Sequence, residues 1–581
     1  MSTTPEPVAH GSGPDPSPPG STGATPAAAD GATPAAADAV TPAAADAVTA
    51  AAADAVTTAA ADGVTPAAAT AVATCSLRLF DTATGTVRSL ELRDPGRVGM
   101  YVCGPTVYDV PHLGHGRFSL VFDVLRRYLQ FCGLQVRYVS NITDVDDKIL
   151  DRAEREGRAP SAVAGEFEAV WWRAMDALGV GRPDETPHAT AWVEAMVAMV
   201  ADLVGRGVAY ETDDGVYLDV EQVPGYGLLA LQPLDSLRAG ARVESSVAKR
   251  SPLDFALWKK VAAFGAFGAG GAGGAGGAGG AGGAADVFGA ADAGGAGDVA
   301  GAGELWWPSP WGPGRPGWHT ECVVMSLGLL GDGFDLHGGG QDLRFPHHEN
   351  ERAQAVAAGR TFAQHWAHNG FVEVDGEKMS KSLGNFTSLT DLLAQADGRA
   401  YRLLVLRSHY RKPIEVNPAT VADAEEGLAR LDGIARRFPA AAAAGAAATT
   451  ADRALAAGAD PEAVATFRVA MDDDLDTGGA LAGVFELVRR ANAAGDAGQA
   501  AEAERAATTV AALAGALGLA LQATVDEVDA ATAALVAQRD AARATKDWAR
   551  ADAVRDELVG RGWIVEDGPS GTAVRRKVPS R

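Results

Sequence analysis

The chain is short of cysteine, of basic charge and of long apolar runs. Four cysteines in 581 residues cannot build a disulfide scaffold and suit a reducing compartment. No apolar stretch reaches the ~20 residues of a membrane-spanning helix, because aspartates interrupt the alanine blocks. Lys and Arg total 50 against 74 Asp and Glu, a net charge of −24. Such a balance ordinarily argues against a nucleic-acid partner. Glycine, by contrast, is in excess at 70 residues, well above the usual ~7%. At ~150 residues per domain the length accommodates three or four domains and a large core.

Two segments distort these averages. Within residues 1–74 an eight-residue unit, roughly Thr-Pro-Ala-Ala-Ala-Asp-Ala-Val, starts at Thr25, Thr33, Thr41, Thr49, Thr57 and Thr65. Proline in four of the six units breaks any continuous helix, and large apolar residues are almost absent. The segment is expected to be disordered. With no Lys or Arg it does not read as a signal peptide. Residues 261–303 contain Ala-Gly-Gly triplets from about Gly268 to Ala284. Without proline in the remaining positions these predict a flexible loop and not a collagen helix. Together the two segments carry ten acids and no compensating base.

The remaining chain reads as an α/β enzyme followed by helices. Val98–Val102 is a buried strand ending at Cys103-Gly104-Pro105, and Phe118–Phe131 is a helical run. Gln135–Asn141 supplies a second strand, completing a βαβ unit whose ligand site belongs at strand C-terminal ends. Residues 148–240 are expected to be mostly helical, strands return from Asp335, and 390–530 are Ala/Leu-rich helices. The last fifty residues are locally basic, with ten bases including Arg539, Arg543, Lys546, Arg550, Arg555 and Arg561 against seven acids.

Between the first strand and its helix stands His112-Leu113-Gly114-His115. Glycine allows close backbone approach, a helix N-terminus favours anions, and two imidazoles can donate to phosphoryl oxygens. Far downstream, Lys378-Met379-Ser380-Lys381-Ser382 places two ammonium groups in a Ser/Gly loop suited to a leaving pyrophosphate. In this order around a βαβ unit, the two segments resemble the HIGH and KMSKS motifs of class I aminoacyl-tRNA synthetases, with Leu113 in place of the commonest Ile. A second constellation resembles a metal site. Cys103, Cys322, His347 and Glu351 offer two thiolates, an imidazole and a carboxylate, a plausible tetrahedral zinc set. Pro346 is placed to open a helix on which His347 and Glu351 share a face. Scattered cysteines also serve as core residues and His-x-x-x-Glu recurs on many helices, so the residues alone leave both readings open.

Tyr101–Asp109, Asn141–Lys148, Gly317–Cys322 and Phe345–Glu351 all resemble cysteinyl-tRNA synthetases, from about residue 75 to the C-terminus. The resemblance implies a Rossmann-type parallel-sheet catalytic domain, split by a connective insertion and followed by an α-helical anticodon-binding domain and a small C-terminal domain. The implied boundaries are 75–147 and 241–375 for the catalytic halves, 148–240 for the insertion and 376–410 for the KMSKS region. They continue with 411–530 for the helical bundle and 531–581 for the C-terminal domain. It further implies Zn²⁺ on Cys103, Cys322, His347 and Glu351, holding the substrate cysteine thiolate. Thr143, Trp318 and Asp342 would line the amino-acid pocket. His112, Gly114, His115 and Lys381 would bind ATP with Mg²⁺, with Lys378 assisting. The expected partners are L-cysteine, ATP and tRNA(Cys), for a cytoplasmic monomer without membrane association. The nearest rival is the ATP-dependent cysteine ligase of mycothiol synthesis, which shares these motifs but has no use for an anticodon-reading extension. A non-catalytic paralogue is disfavoured by intact His112, His115, Lys378 and Lys381.

Overall fold

A computed structural model of the chain describes residues 75–232, 249–261, 305–374, 377–378, 388–523, 528–568 and 571–576. The N-terminal repeats, nearly all of the Gly/Ala insertion and the segment containing Lys381 lie outside the described residues.

An antiparallel hairpin, β1 (Arg78–Asp81) with β2 (Thr86–Ser89), precedes β3 (Arg97–Val102). Met100, Tyr101 and Val102 of β3 are all buried, as expected of a strand covered on both faces. Helix α1 (Leu113–Phe131) crosses over to β4 (Gln135–Val139), which lies parallel to β3. Helices α2 (Asp147–Glu156), α3 (Pro160–Ala177) and α4 (Val193–Gly205) follow. Next come β5 (Ala209–Glu211), β6 (Gly215–Leu218), β7 (Phe255–Lys260) and β8 (Gly314–Pro316), an antiparallel sheet in that order. The chain regains the parallel sheet through α5 (Trp318–Leu330), β9 (Leu336–Gly340), α6 (Glu349–Ala357) and β10 (His365–Asn369). That sheet has the order β10-β9-β3-β4. Strand β3 therefore continues to β4 on one side and meets β9 on the other, and the gap between such diverging connections is where α/β sheets bind ligands.

Strands β11 (Val372–Val374), β12 (Glu377–Lys378) and β13 (Ile414–Glu415) form a small sheet around α7 (Leu389–Leu393) and α8 (Gly398–Leu406) in sequence. Six helices then run from α9 (Pro418–Arg437) through α10 (Pro439–Ala446), α11 (Ala451–Ala456), α12 (Pro461–Asp472), α13 (Thr477–Asp496) and α14 (Ala500–Ala516). The C-terminal elements are α15 (Ala530–Ala544), α16 (Trp548–Gly560), β14 (Trp563–Gly568) and β15 (Gly571–Arg576), around their own core of Leu535, Val554, Leu558, Trp563 and Val574.

One expectation needs correction. The helices of the 148–240 segment end at Gly205, and 209–218 form the β5–β6 hairpin. Val208-Ala209-Tyr210 and Val216-Tyr217-Leu218 are β-branched and aromatic runs on either side of Asp213-Asp214-Gly215, a turn sequence, and all of β6 is buried. Short strands of this kind have no room to display a period.

Helix α1 is fastened to the helical region by a buried charge pair. Arg402 of α8 is fully buried and donates to Asp123 Oδ2 at 2.7 Å and to the carbonyl of Gly179 at 2.8 Å. Burial raises the Asp123 pKa, but the guanidiniums of Arg402 and Arg127 more than reverse this and leave it below its ordinary value. The folded pKa thus lies under the unfolded value of ~3.9. The pair stabilises fully above that pH and loses its contribution as pH falls through the depressed range. Replacing Arg402 with Leu removes the fully buried partner of Asp123 and leaves its buried carboxylate to the partly exposed Arg127 and the Gly181 amide. We expect a loss of about 3–5 kcal/mol, read as a lower urea midpoint at pH 7, and a smaller difference from the parent in acid.

Candidate active site and metal centre

Four donors separated by up to 248 positions meet where β3 ends. Cys103 follows β3, Cys322 sits within α5, His347 lies in the turn Arg344–His348 that leads into α6, and Glu351 lies four residues on in the first turn of α6. Their ligand atoms all lie within 4.8 Å of one another and all four residues are buried. Cys103 Sγ is 3.7 Å from Cys322 Sγ and 3.2 Å from Glu351 Oε1, and His347 Nε2 is 2.8 Å from the same oxygen. Burial pushes the Cys103 thiol well up, whereas the hydrogen bond from Cys103 holds Cys322 down to about 6. Burial raises Glu351 as well, but His337 and His347 draw it well below the carboxylate range. Two sulfurs, a carboxylate and an imidazole buried in contact form a donor set that fits a tetrahedral soft cation.

Side chains around the cluster fix its donors. His337 of β9 lies 2.6 Å from Glu351 Oε2, and His319 Nδ1 lies 2.8 Å from His347 Nδ1. Such outer contacts orient ligands and set tautomers. His337 and His348 also form, with Cys103 and Glu351, a second overlapping donor group within 4.8 Å. Behind them His348 Nδ1 meets His368 Nε2 at 2.8 Å and His368 Nδ1 meets Thr82 Oγ1 at 2.7 Å. Burial pushes both of these imidazoles down, His368 to about 3, so both are neutral.

The expected pocket residues flank this centre unequally. Thr143 is buried and donates to Glu321 Oε2 at 2.9 Å, while Asn141 Nδ2 donates to Thr143 Oγ1 at 3.1 Å. Asn141 Oδ1 accepts from Tyr101 and from the Gly104 amide. Gly104 is obligatory there, since an added Cβ would stand 1.6 Å from the Asn141 carbonyl oxygen. Trp318 stacks on His347 with centroids 4.0 Å apart and keeps 38% of its surface exposed. Asp342 is exposed in the turn after β9, beside Gly340. Asn141, Glu321, His319 and His337 escape a motif reading because nothing local marks them; Asn141, Glu321 and His319 at least lie inside the quoted segments.

The His112–His115 segment forms the start of α1. His112 is its N-cap and accepts from the His115 amide at Nδ1, 3.3 Å, while His115 Nδ1 accepts from the His112 amide, 3.2 Å. The rings stack with centroids 3.7 Å apart. An accepting Nδ1 assigns the proton to Nε2 on each neutral ring. Two imidazole donors are thus held in parallel at a helix N-terminus, the arrangement that binds phosphate. Gly114 is tightly set, because a Cβ there would meet the His112 ring at 2.9 Å.

The base of the lysine loop is held by the same helix. Fully buried Arg117 donates to the carbonyls of Phe371, Tyr410 and Lys412. These carbonyls precede β11 and β13, and β11 pairs antiparallel with β12, aligning Glu373 with Lys378. Lys378 thereby has a defined backbone position, while Lys381 lies outside the described residues. Among the C-terminal bases, Arg539 is buried against Asp567 and Thr572 and Arg543 also pairs with Asp567. Arg539 is therefore structural. Trp548, at the first turn of α16, is 59% exposed.

The reciprocal cap makes a separable prediction. His112→Ala should cost about 1 kcal/mol of stability, the usual loss of an N-cap. His112→Asn, whose amide oxygen can accept from the same amide, should keep most of it in urea titration.

Comparison with known proteins accords with this geometry. Residues 89–268 and 298–426 match the family described as "tRNA synthetases class I (C) catalytic domain". Residues 466–522 match a DALR domain, and 525–575 match the "Cysteinyl-tRNA ligase anticodon binding domain". The unmatched gap in the catalytic region falls inside the Gly/Ala insertion. The cysteine–tRNA ligase of Syntrophotalea carbinolica is 42% identical over 521 residues, covering 86% of this chain and 99% of the relative. That of Halorhodospira halophila is 42% identical over 514 residues, with the same coverages. With identity sustained over nearly the full length of these relatives, the chain belongs to the cysteine–tRNA ligase family of class I aminoacyl-tRNA synthetases.

Proposed function

We propose that the chain activates L-cysteine with ATP to cysteinyl-adenylate and transfers the aminoacyl group to the 3′ end of tRNA(Cys). The observation that carries this reading is the buried convergence of Cys103, Cys322, His347 and Glu351 within 4.8 Å, at the C-terminal end of β3. These residues would hold zinc. When bound, the metal supplies a soft cation that favours a cysteine thiolate over the serine hydroxyl or the alanine methyl. A pocket of apolar shape alone separates such close analogues by only ~10–200-fold, so selection by sulfur chemistry removes the need for editing.

Thr143, Trp318 and Asp342 would line the amino-acid site, the Asp342 carboxylate being suited to the substrate ammonium. The cysteine carboxylate then attacks the α-phosphate of ATP in line and pyrophosphate leaves. His112 and His115, each with Nε2–H, would donate to the phosphoryl oxygens as charge grows there, with Gly114 allowing close approach. Lys378 and Lys381 would close over the departing pyrophosphate, assisted by Mg²⁺. In the second step a terminal ribose hydroxyl of tRNA attacks the adenylate carbonyl, and positioning supplies the catalysis.

The match of 525–575 to an anticodon-binding domain supports a tRNA partner and disfavours the amino-sugar ligase. Exposed Trp548 offers a stacking face for an unpaired base. Among the described residues no helix is long and apolar enough to cross a membrane. A cytoplasmic location suits the low cysteine count.

Cysteine-dependent ATP–pyrophosphate exchange followed by charging of tRNA(Cys) tests the reading. Exchange without charging, but with ligation to an amino sugar, would overturn it. Trp548→Ala should leave exchange intact and weaken charging by about 10-fold or more, the worth of one base stack. Cys322→Ser should lose bound zinc and weaken cysteine activation. Wild-type metal content and cysteine affinity in that variant would remove Cys322 from the ligand set.

A further inference from the structure

A second thiol pair lies at the opposite end of α1 from the paired histidines. Cys132 is the C-cap of α1 and is buried, while Cys75 is half-buried and stands ahead of β1, in no regular element. The two sulfurs and a carboxylate oxygen of Asp472 lie within 4.8 Å of one another. Asp472 ends α12 and accepts from Ser76 Oγ and from Tyr128 OH, both at 2.6 Å. Three separate parts of the chain therefore converge on two sulfurs that the ligation chemistry does not use.

We propose that Cys75 and Cys132 are an oxidative modification site, closing to an intramolecular disulfide when the protein meets a peroxide. The attacking group is Cys75, the more accessible of the two. Its thiolate attacks one peroxide oxygen, the O–O bond breaks, and hydroxide leaves with the electron pair, so Cys75 becomes a sulfenic acid. The Cys132 sulfur then attacks the Cys75 sulfur, the S–O bond breaks, and water departs with the thiol proton. Two thiols and one peroxide give one disulfide and two waters.

The surroundings favour this order. The hydrogen bond from Cys132 lowers the Cys75 pKa and, with it, the barrier to forming a nucleophile, while the same contact and burial raise Cys132. Burial and the Asp472 charge oppose the thiolate at Cys75, but the Cys132 hydrogen bond, with the Leu77 amide and the Arg468 charge, outweighs them. Because Cys75 lies outside β1, the adjustment that a disulfide demands falls on a segment free of ladder hydrogen bonds. The closed form would tie the segment ahead of β1 to the end of the helix that begins with His112 and His115.

The test uses the full-length, zinc-loaded protein treated with hydrogen peroxide and mapped as peptides without reduction. The expected product is a Cys75–Cys132 cross-linked peptide, lighter by about 2 Da than its parts and released by dithiothreitol. In Cys132→Ser the Cys75 sulfenic acid should persist and be trapped by dimedone, with tRNA charging at the parent level showing that the variant is folded. Three results would overturn the proposal: both thiols still alkylated by iodoacetamide after peroxide, a disulfide between two copies of the chain, or a second equivalent of zinc that Cys132→Ser removes. The last would make the same cluster a metal site.

Discussion

The structure turns on the cost of burying two sulfurs, an imidazole and a carboxylate in mutual contact. Glu351 is fully buried and negatively charged, with both oxygens against imidazoles, and Cys322 is held as an acidic thiol by its neighbour. Unpaired charge at such depth costs several kcal/mol per ion, so the group coheres only as a set of mutually bonded donors. That set is assembled by β3, α5 and α6, and the packing around it is correspondingly constrained. Tyr101 closes it from β3, His337 from β9 and His319 from α5. The buried donor cluster and the sheet that surrounds it are therefore one construction.

Helix α1 carries the second constraint. Along its length it presents, in order, the reciprocal histidine cap, the Arg117 grip on three carbonyls, the Asp123 pair with Arg402 and the Tyr128 hydrogen bond to Asp472. The last three contacts each reach a different later part of the chain. The histidine-capped end, the strands β11 and β13 and the helical region are thus referred to one rigid element. Placement of two motifs more than 250 residues apart needs such a common reference, because positioning errors near 1 Å cost about 100-fold in rate.

How much of this the sequence disclosed depended on how local each feature was. His112-Leu113-Gly114-His115 is contiguous, and its strand–loop–helix setting follows from apolar runs on either side. The donors Cys103, Cys322, His347 and Glu351 form a plausible set on residue chemistry alone, but the choice between metal site and core residues rests on the family resemblance, since no spacing rule links residues brought together by a sheet and two helices. Asn141, Glu321 and His337 act through tertiary contacts that leave no periodic trace. The β5–β6 hairpin was read as helix because strands of three and four residues cannot show alternation. Arg539 counts in sequence as one of the bases of a locally basic segment, and only the fold reveals Asp567 and Thr572 against it.

That last case bears on how charge should be read in this chain. A total of −24 suggests repulsion of nucleic acid, yet ten of the acids fall in two segments of low sequence complexity. The local excess of bases in the last fifty residues overstates the opposite case, because Arg539, Arg543 and Arg561 are engaged with Asp567 and Glu557. Neither the sum nor the local count measures what a polyanion would meet. Attraction to phosphate depends on cations that remain unneutralised at the surface, and sequence-tolerant binding can add stacking on an exposed ring such as Trp548. In a chain so acidic, contact with an RNA partner must rest on a few placed groups and their geometry.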